Sequence, residues 1–158
     1  MSIWFDKATT LSTIKDFGLD AMSGLLGMEW VQIGEDYLEL RMPVNERTKQ
    51  AYGILHGGAS CALAETVGSI GSALVIDTEK FACVGLEINA NHIRSATSGF
   101  ITALCKPLHL GKTTHVWDIK MFDDLKKLVC VSRLTVAIID KRKLNFSINA
   151  STNQHIGD

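Results

Sequence analysis

The stretch HGGASCALAETVGSIGSALVID, His56 to Asp77, is small and apolar almost throughout, yet it carries one carboxylate, Glu65. It predicts a helix over Gly58–Ile76. A helix lying on a sheet normally turns a polar face to water. This one has no polar face wide enough: Ala59, Cys61, Ala62, Leu63, Ala64, Val67, Ile70, Ala73, Leu74, Val75 and Ile76 run nearly all the way round. The helix must therefore be enclosed by a curved sheet, by a partner subunit, or by both. Gly68 and Gly71 each lower helix propensity by about 1 kcal/mol relative to Ala, which points to close approach of another backbone.

Working outward, the flanking sequence reads as strands. Before the helix, Glu29–Ile33 and Tyr37–Val44 form a pair around the turn Gly34-Glu35-Asp36. A polar loop, Asn45–Gly53, leads into the helix, and Thr9–Phe17 reads as a short helix capped by Thr10 or Ser12. After the helix come Ala82–Arg94, Phe100–Leu108, Thr114–Phe122 and Leu128–Ile139, separated by short turns. In the third of these, Val116, Asp118, Lys120 and Phe122 alternate with Trp117, Ile119 and Met121, a period of two. Successive strands on short turns predict an antiparallel meander, so the fold class is α+β: one long central helix and a curved antiparallel sheet.

At 158 residues the chain fits one domain, residues 1–140, followed by a polar tail, 141–158. Charged residues make up 21% and the net charge is −1, which leaves no basic face for nucleic acid. Cys61, Cys83, Cys105 and Cys130 stand apart in apolar runs, as reduced thiols of a cytosolic protein do. The N-terminal MSIWFDKATTLSTIKDF lacks the basic start and apolar core of a signal peptide, and Glu65 with its neighbouring Gly and Ser interrupts the longest apolar run. The expectation is a soluble, cytoplasmic protein with no membrane partner.

Glu65, Ser69 and Ser72 fall at i, i+4 and i+7, on one stripe of the helix. An unpaired buried carboxylate costs several kcal/mol or takes up a proton, so Glu65 either pairs with a cation or a serine or does chemistry. His56-Gly57-Gly58 stands where the helix begins, and a helix N-terminus offers unpaired N–H groups and partial positive charge. Glycines there let a ligand oxygen approach the backbone, the arrangement that holds a developing oxyanion. A carboxylate that attacks a carbonyl or activates water would complete an acyl-transfer site.

YGILHGGASCALAETVGSIGSAL, with MPVNERTKQ before it and VGLEINANHIRSA and KPLHLG after it, resembles the hotdog-fold acyl-CoA thioesterases of the PaaI-like class. Within that class it is most similar to the bacterial 1,4-dihydroxy-2-naphthoyl-CoA hydrolases and the proofreading thioesterase of enterobactin synthesis. The likeness spans residues 20–140. It implies an enzyme that turns acyl-CoA, first of all aryl-CoA, and water into a carboxylic acid and CoA, without a cofactor. By position, Glu65 would be nucleophile or general base. The Gly57 N–H would be the oxyanion donor, Gln50 would polarise the thioester carbonyl, His56 would orient the carbonyl or thiol, and Ser69 would contact substrate or water. Val84 and Gly85 would line the pantetheine channel. His92, Arg94 and Ser95 would bind pantetheine and phosphates, with His109, Leu110, Gly111 and Lys112 near the nucleotide. The resemblance also implies a homo-oligomer, dimer or tetramer, with Glu65 and the Gln50/Gly57 pair contributed by different chains.

Two other patterns carry no site. Leu110-Gly111-Lys112-Thr113-Thr114 imitates the end of a P-loop, but the first glycine of that motif is replaced by Lys106 and a strand follows. His56, His92, His109, His115 and His155 match no zinc spacing, so no metal is expected and each is a hydrogen-bonding or surface residue. The alternatives to acyl-CoA hydrolysis are hydrolysis of aryl- or acyl-carrier-protein thioesters, a hotdog dehydratase or hydratase, and a non-catalytic acyl-CoA binding module in which Glu65 is paired with a cation.

Overall fold

The computed structural model describes residues 2–143 apart from Asp20; of the tail, residues 144–158 lie outside the described part. Two short helices, α1 (Leu11–Ile14) and α2 (Met22–Leu25), precede the strand pair β1 (Glu29–Ile33) and β2 (Leu38–Pro43). The long helix α3 (Gly57–Val75) follows, then β3 (Phe81–His92), β4 (Phe100–Leu110), β5 (Thr114–Phe122) and β6 (Leu128–Asp140), with a 3-10 turn at Lys141–Lys143. The expected helix at Thr9–Phe17 shrinks to one turn at α1, and α2 was not foreseen.

The six strands form one antiparallel sheet in the order β1-β2-β4-β5-β6-β3, with α3 laid across one face, the α+β hotdog arrangement. The meander expectation holds for β4-β5-β6 and fails for β3. After the helix the chain returns at the far edge, so β3 pairs with β6, and β4 takes the place beside β2. The short link from β3 to β4 crosses strands without pairing them, which alternation within a strand cannot reveal.

Inward positions of alternate residues build the core. Leu38, Leu40 and Met42 of β2, Ile101, Ala103 and Cys105 of β4, and Trp117, Ile119 and Met121 of β5 are fully buried. They pack under Ala59, Leu63, Ala64 and Val67 of α3. The two glycines do mark close approach. A methyl group on Gly68 would meet Leu134 of β6 at 2.5 Å, and one on Gly71 would meet Trp117 at 3.1 Å. The opposite side of α3 stays half-buried, Ile70 and Leu74 included. There the N-terminal segment covers part of it: the Phe5 N–H donates to Leu74 O at 2.8 Å, and Gly18 lies against Ile70. By length and composition α3 could cross a membrane, with mean hydropathy 1.2, but here it is the core helix of the sheet.

Beyond β6, β3 is an edge. Among the described residues no strand lies beside its outer row of backbone groups, and Val84 and Leu86 are 52% and 64% exposed.

Candidate active site

The start of α3 is held by a loop built from short hydrogen bonds. Thr48, 1% exposed, donates its hydroxyl to Pro43 O at 2.7 Å, and the His56 N–H donates to Thr48 O at 2.8 Å. Gln50 N–H donates to Ile54 O at 2.9 Å, while its side-chain oxygen accepts the Tyr52 N–H. That second bond occupies Oε1 and leaves the amide nitrogen of Gln50 able to donate. Leu55 N–H reaches Ala96 O at 2.8 Å, which ties this loop to the segment after β3. Ile93 and Arg94 in turn both donate their N–H groups to Val129 O.

The outcome is a cavity of about 300 Å³ lined by Gln50, Gly57, His92, Arg94 and Ser95, five of the residues implied by the resemblance. Ser60, Ile54, Leu55, Ile93, Ala96 and Val129 complete the wall. Ser60 was not foreseen; its position on the first turn, among small residues that open the helix start, is the sequence signal it left. Among the described residues the Gly57 N–H finds no acceptor, as expected of the first turn of a helix. His56 has a structural task besides the orienting role implied by the resemblance. Its Nδ1 accepts the Gly58 N–H at 2.8 Å and caps α3.

Glu65 lies eight residues along the helix, about 12 Å from Gly57 at 1.5 Å per residue. Ser69 donates to its Oε1 at 3.1 Å, and no Lys, Arg or His among the described residues pairs with it. Facing it is Gly85 of β3, whose missing side chain leaves the space the carboxylate fills: a methyl group there would overlap Oε1. Cys83, two residues earlier on the same face of β3, donates its thiol to Ser69 O at 3.6 Å, and burial holds that thiol above its ordinary pKa. Val84 points the other way and is exposed. Ser72, on the same stripe as Glu65 and Ser69, does not join them: it is fully buried and accepts the Trp117 indole N–H at 2.8 Å. The helix crosses the strands, so one stripe faces β3 at Glu65 and β5 at Ser72.

The third group, His109, Leu110, Gly111 and Lys112, sits at the other end of the sheet. Ile138, which pairs with Cys83, donates its N–H to Thr113 O at 2.9 Å. From Cys83 to His92 is nine residues, about 30 Å of strand. One chain thus separates the implied site residues into three places: the start of α3, its middle, and the far end beyond its C-terminus.

That far end holds a second concavity, about 580 Å³, lined by Phe5, Val75, Ile76, Asp77, Phe81, Leu110, Gly111, Lys112, His115 and Ile138. Of the two roles expected for His115, hydrogen-bonding or surface residue, the surface one fails. The period of two that buries Trp117, Ile119 and Met121 also turns His115 inward, to 2% exposure, and its Nδ1 has no partner among the described residues. Burial, reinforced by the neighbouring His109, lowers its pKa; the Gly111 backbone acts weakly in the opposite sense. The fold therefore favours the neutral ring. The stabilising difference is fully present above the unfolded pKa near 6.5 and is lost as pH falls below it toward the folded value, because the unfolded chain takes up the proton first. Melting temperatures measured from pH 7.5 to 5 should fall more steeply for the wild type than for His115→Leu. Parallel curves would mean that His115 contributes nothing to the acid limb.

Comparison with known proteins adds the following. The profile of the thioesterase superfamily matches residues 52–130. The 1,4-dihydroxy-2-naphthoyl-CoA hydrolase of Escherichia coli (strain K12) is 50% identical over 137 residues, covering 87% of this chain and 99% of that one. A proofreading thioesterase, EntH, of Cronobacter turicensis is 41% identical over 138 residues, 87% of this chain and 98% of that one. Among solved structures, a thioesterase of Pseudomonas aeruginosa superposes with a TM-score of 0.84 at 42% identity, covering 88% of this chain and 99% of the other.

Proposed function

The chain belongs to the thioesterase superfamily and is a thioester hydrolase; on that premise we propose that it hydrolyses aryl-CoA in the cytoplasm, with 1,4-dihydroxy-2-naphthoyl-CoA as the first candidate substrate. The observation that carries the chemistry is Glu65, held by Ser69 with no cation paired to it among the described residues. A carboxylate without a cation keeps its lone pairs available to attack a carbonyl carbon or to take a proton from water. The unpartnered Gly57 N–H and the Gln50 amide nitrogen would receive the carbonyl oxygen as it gains charge. Arg94 and Ser95, on the rim of the same cavity, suit the phosphates and pantetheine of CoA. The name of the Escherichia coli relative supports the acyl group.

The separation of Glu65 from Gly57 supports a site shared between two copies. We infer that β3 pairs with β3 of a second chain in antiparallel fashion. That pairing lays the Phe81 end of one strand against the His92 end of the other. It would bring Glu65 toward Gln50 and Gly57 of the partner subunit, and the His109–Lys112 turn toward Arg94 of the partner subunit. No cofactor enters, because a carboxylate, backbone and amide N–H donors and water suffice for the hydrolysis.

The direct test follows thiol release from a panel of aryl- and alkyl-CoA thioesters by the purified protein, with its mass in solution measured alongside. Fast hydrolysis of 1,4-dihydroxy-2-naphthoyl-CoA by a dimer or larger assembly is the expected result. Preference for alkyl chains would overturn the substrate assignment, and an active monomer would overturn the shared site.

A further inference from the structure

His92 stands against Gly57, the residue proposed to supply the oxyanion donor. A methyl group on Gly57 would meet the Nε2 of His92 at 2.8 Å, with the rest of the ring's edge at 3.3 Å. The imidazole is thus laid against the residue whose N–H opens the helix. The other imidazole at this end, His56, caps Gly58 through Nδ1 and is not among the residues on the cavity wall. The chain then runs from His92 past Ile93 to Arg94 and Ser95, all on the wall of the one cavity, so His92 is the member of that segment set against the helix start.

We propose that His92 is a catalytic acid that protonates the sulfur of the departing thiol. The proposal rests on the thioesterase reading above and adds a residue to it. Two donors, Gly57 N–H and Gln50 Nε2, already suit the carbonyl oxygen. The sulfur is one bond from the same carbon, on the side from which the CoA chain would leave toward Arg94, and His92 is the imidazole on that wall, the side chain that most often serves as a general acid. When the tetrahedral intermediate collapses, the C–S bond breaks and its electron pair goes to sulfur. A proton from Nε2 of His92 then forms the S–H bond, and solvent returns a proton to the ring. Whether Glu65 has attacked the carbon itself or taken a proton from the attacking water, this departure step is the same and balances without an oxidant or a metal.

The test compares one acyl group, 1,4-dihydroxy-2-naphthoyl, carried on CoA, an alkyl thiol, and on thiophenol, whose thiolate leaves without help. His92→Gln and His92→Ala are expected to lower kcat on the CoA thioester by about 10²–10⁴-fold, the usual contribution of a positioned acid. On the thiophenol ester the loss should shrink to less than about tenfold, with melting temperatures of both variants kept near wild type. Equal losses on the two esters would overturn the proposal and make His92 a donor to the carbonyl oxygen. A rise in KM with kcat unchanged would overturn it in favour of CoA binding alone. Wild type that cleaves neither ester would defeat the aryl-thioester reading itself and this assignment with it.

Discussion

Glu65→Gln is expected to lower kcat on the best CoA thioester by about 10³-fold or more, the scale of losing a catalytic base or nucleophile, while the protein melts where wild type does. The substitution is nearly isosteric. The amide oxygen of Gln can still accept the Ser69 hydroxyl now bonded to Oε1 at 3.1 Å, and no cation is left behind unpaired. What disappears is the negative charge and the ability to hold a proton. A purely structural Glu65 predicts the reverse pattern, with turnover kept and melting temperature lowered. Thiol release and thermal unfolding on the same two preparations separate these outcomes.

Gly85→Ala is expected to lower kcat by about 10²-fold through misplacement alone, the usual effect of moving a reacting group by about 1 Å. A methyl group at this position falls on Oε1 of Glu65. The backbone there belongs to a strand paired with β6, so the flexible carboxylate is the part that moves. It turns away from β3 and from the position that Ser69 fixes. Circular dichroism and melting temperature should stay close to wild type, because β3 accepts Ala without strain and Gly85 is exposed at the edge. Undiminished turnover in a folded Gly85→Ala protein would show that the observed place of the carboxylate is not its working place.

These two residues show what was legible before any coordinates. Glu65 stood out because a carboxylate inside an apolar helix breaks the local pattern, and the helix start was marked by His56-Gly57-Gly58. β1 and β5 appear with the limits expected from alternation, and α3 begins one residue early. Gly85, by contrast, was given a place in the substrate channel only by resemblance. Its space-making contact with Glu65 joins residues twenty apart, and nothing in the local sequence encodes it. The same limit applies to β3. Its alternation identifies a strand, but its place beside β6 is decided by how the chain returns from α3. The burial of His115 was missed for another reason: the period that buries Trp117 extends two residues further, to a residue type less often fully buried than the apolar ones.

In the proposed pairing, the open edge of β3 would link abundance to both folding and activity. A row of unpaired N–H and C=O groups is an invitation to any extended chain, and in the proposed pairing it is answered by an identical strand. Assembly then follows mass action, so dilution would weaken the fold and dissolve the site in the same step. Such a protein would carry an internal threshold of concentration, below which its hydrolytic centre does not exist. Substitutions that disturb the main chain of β3 would move that threshold without touching a single side chain of the site.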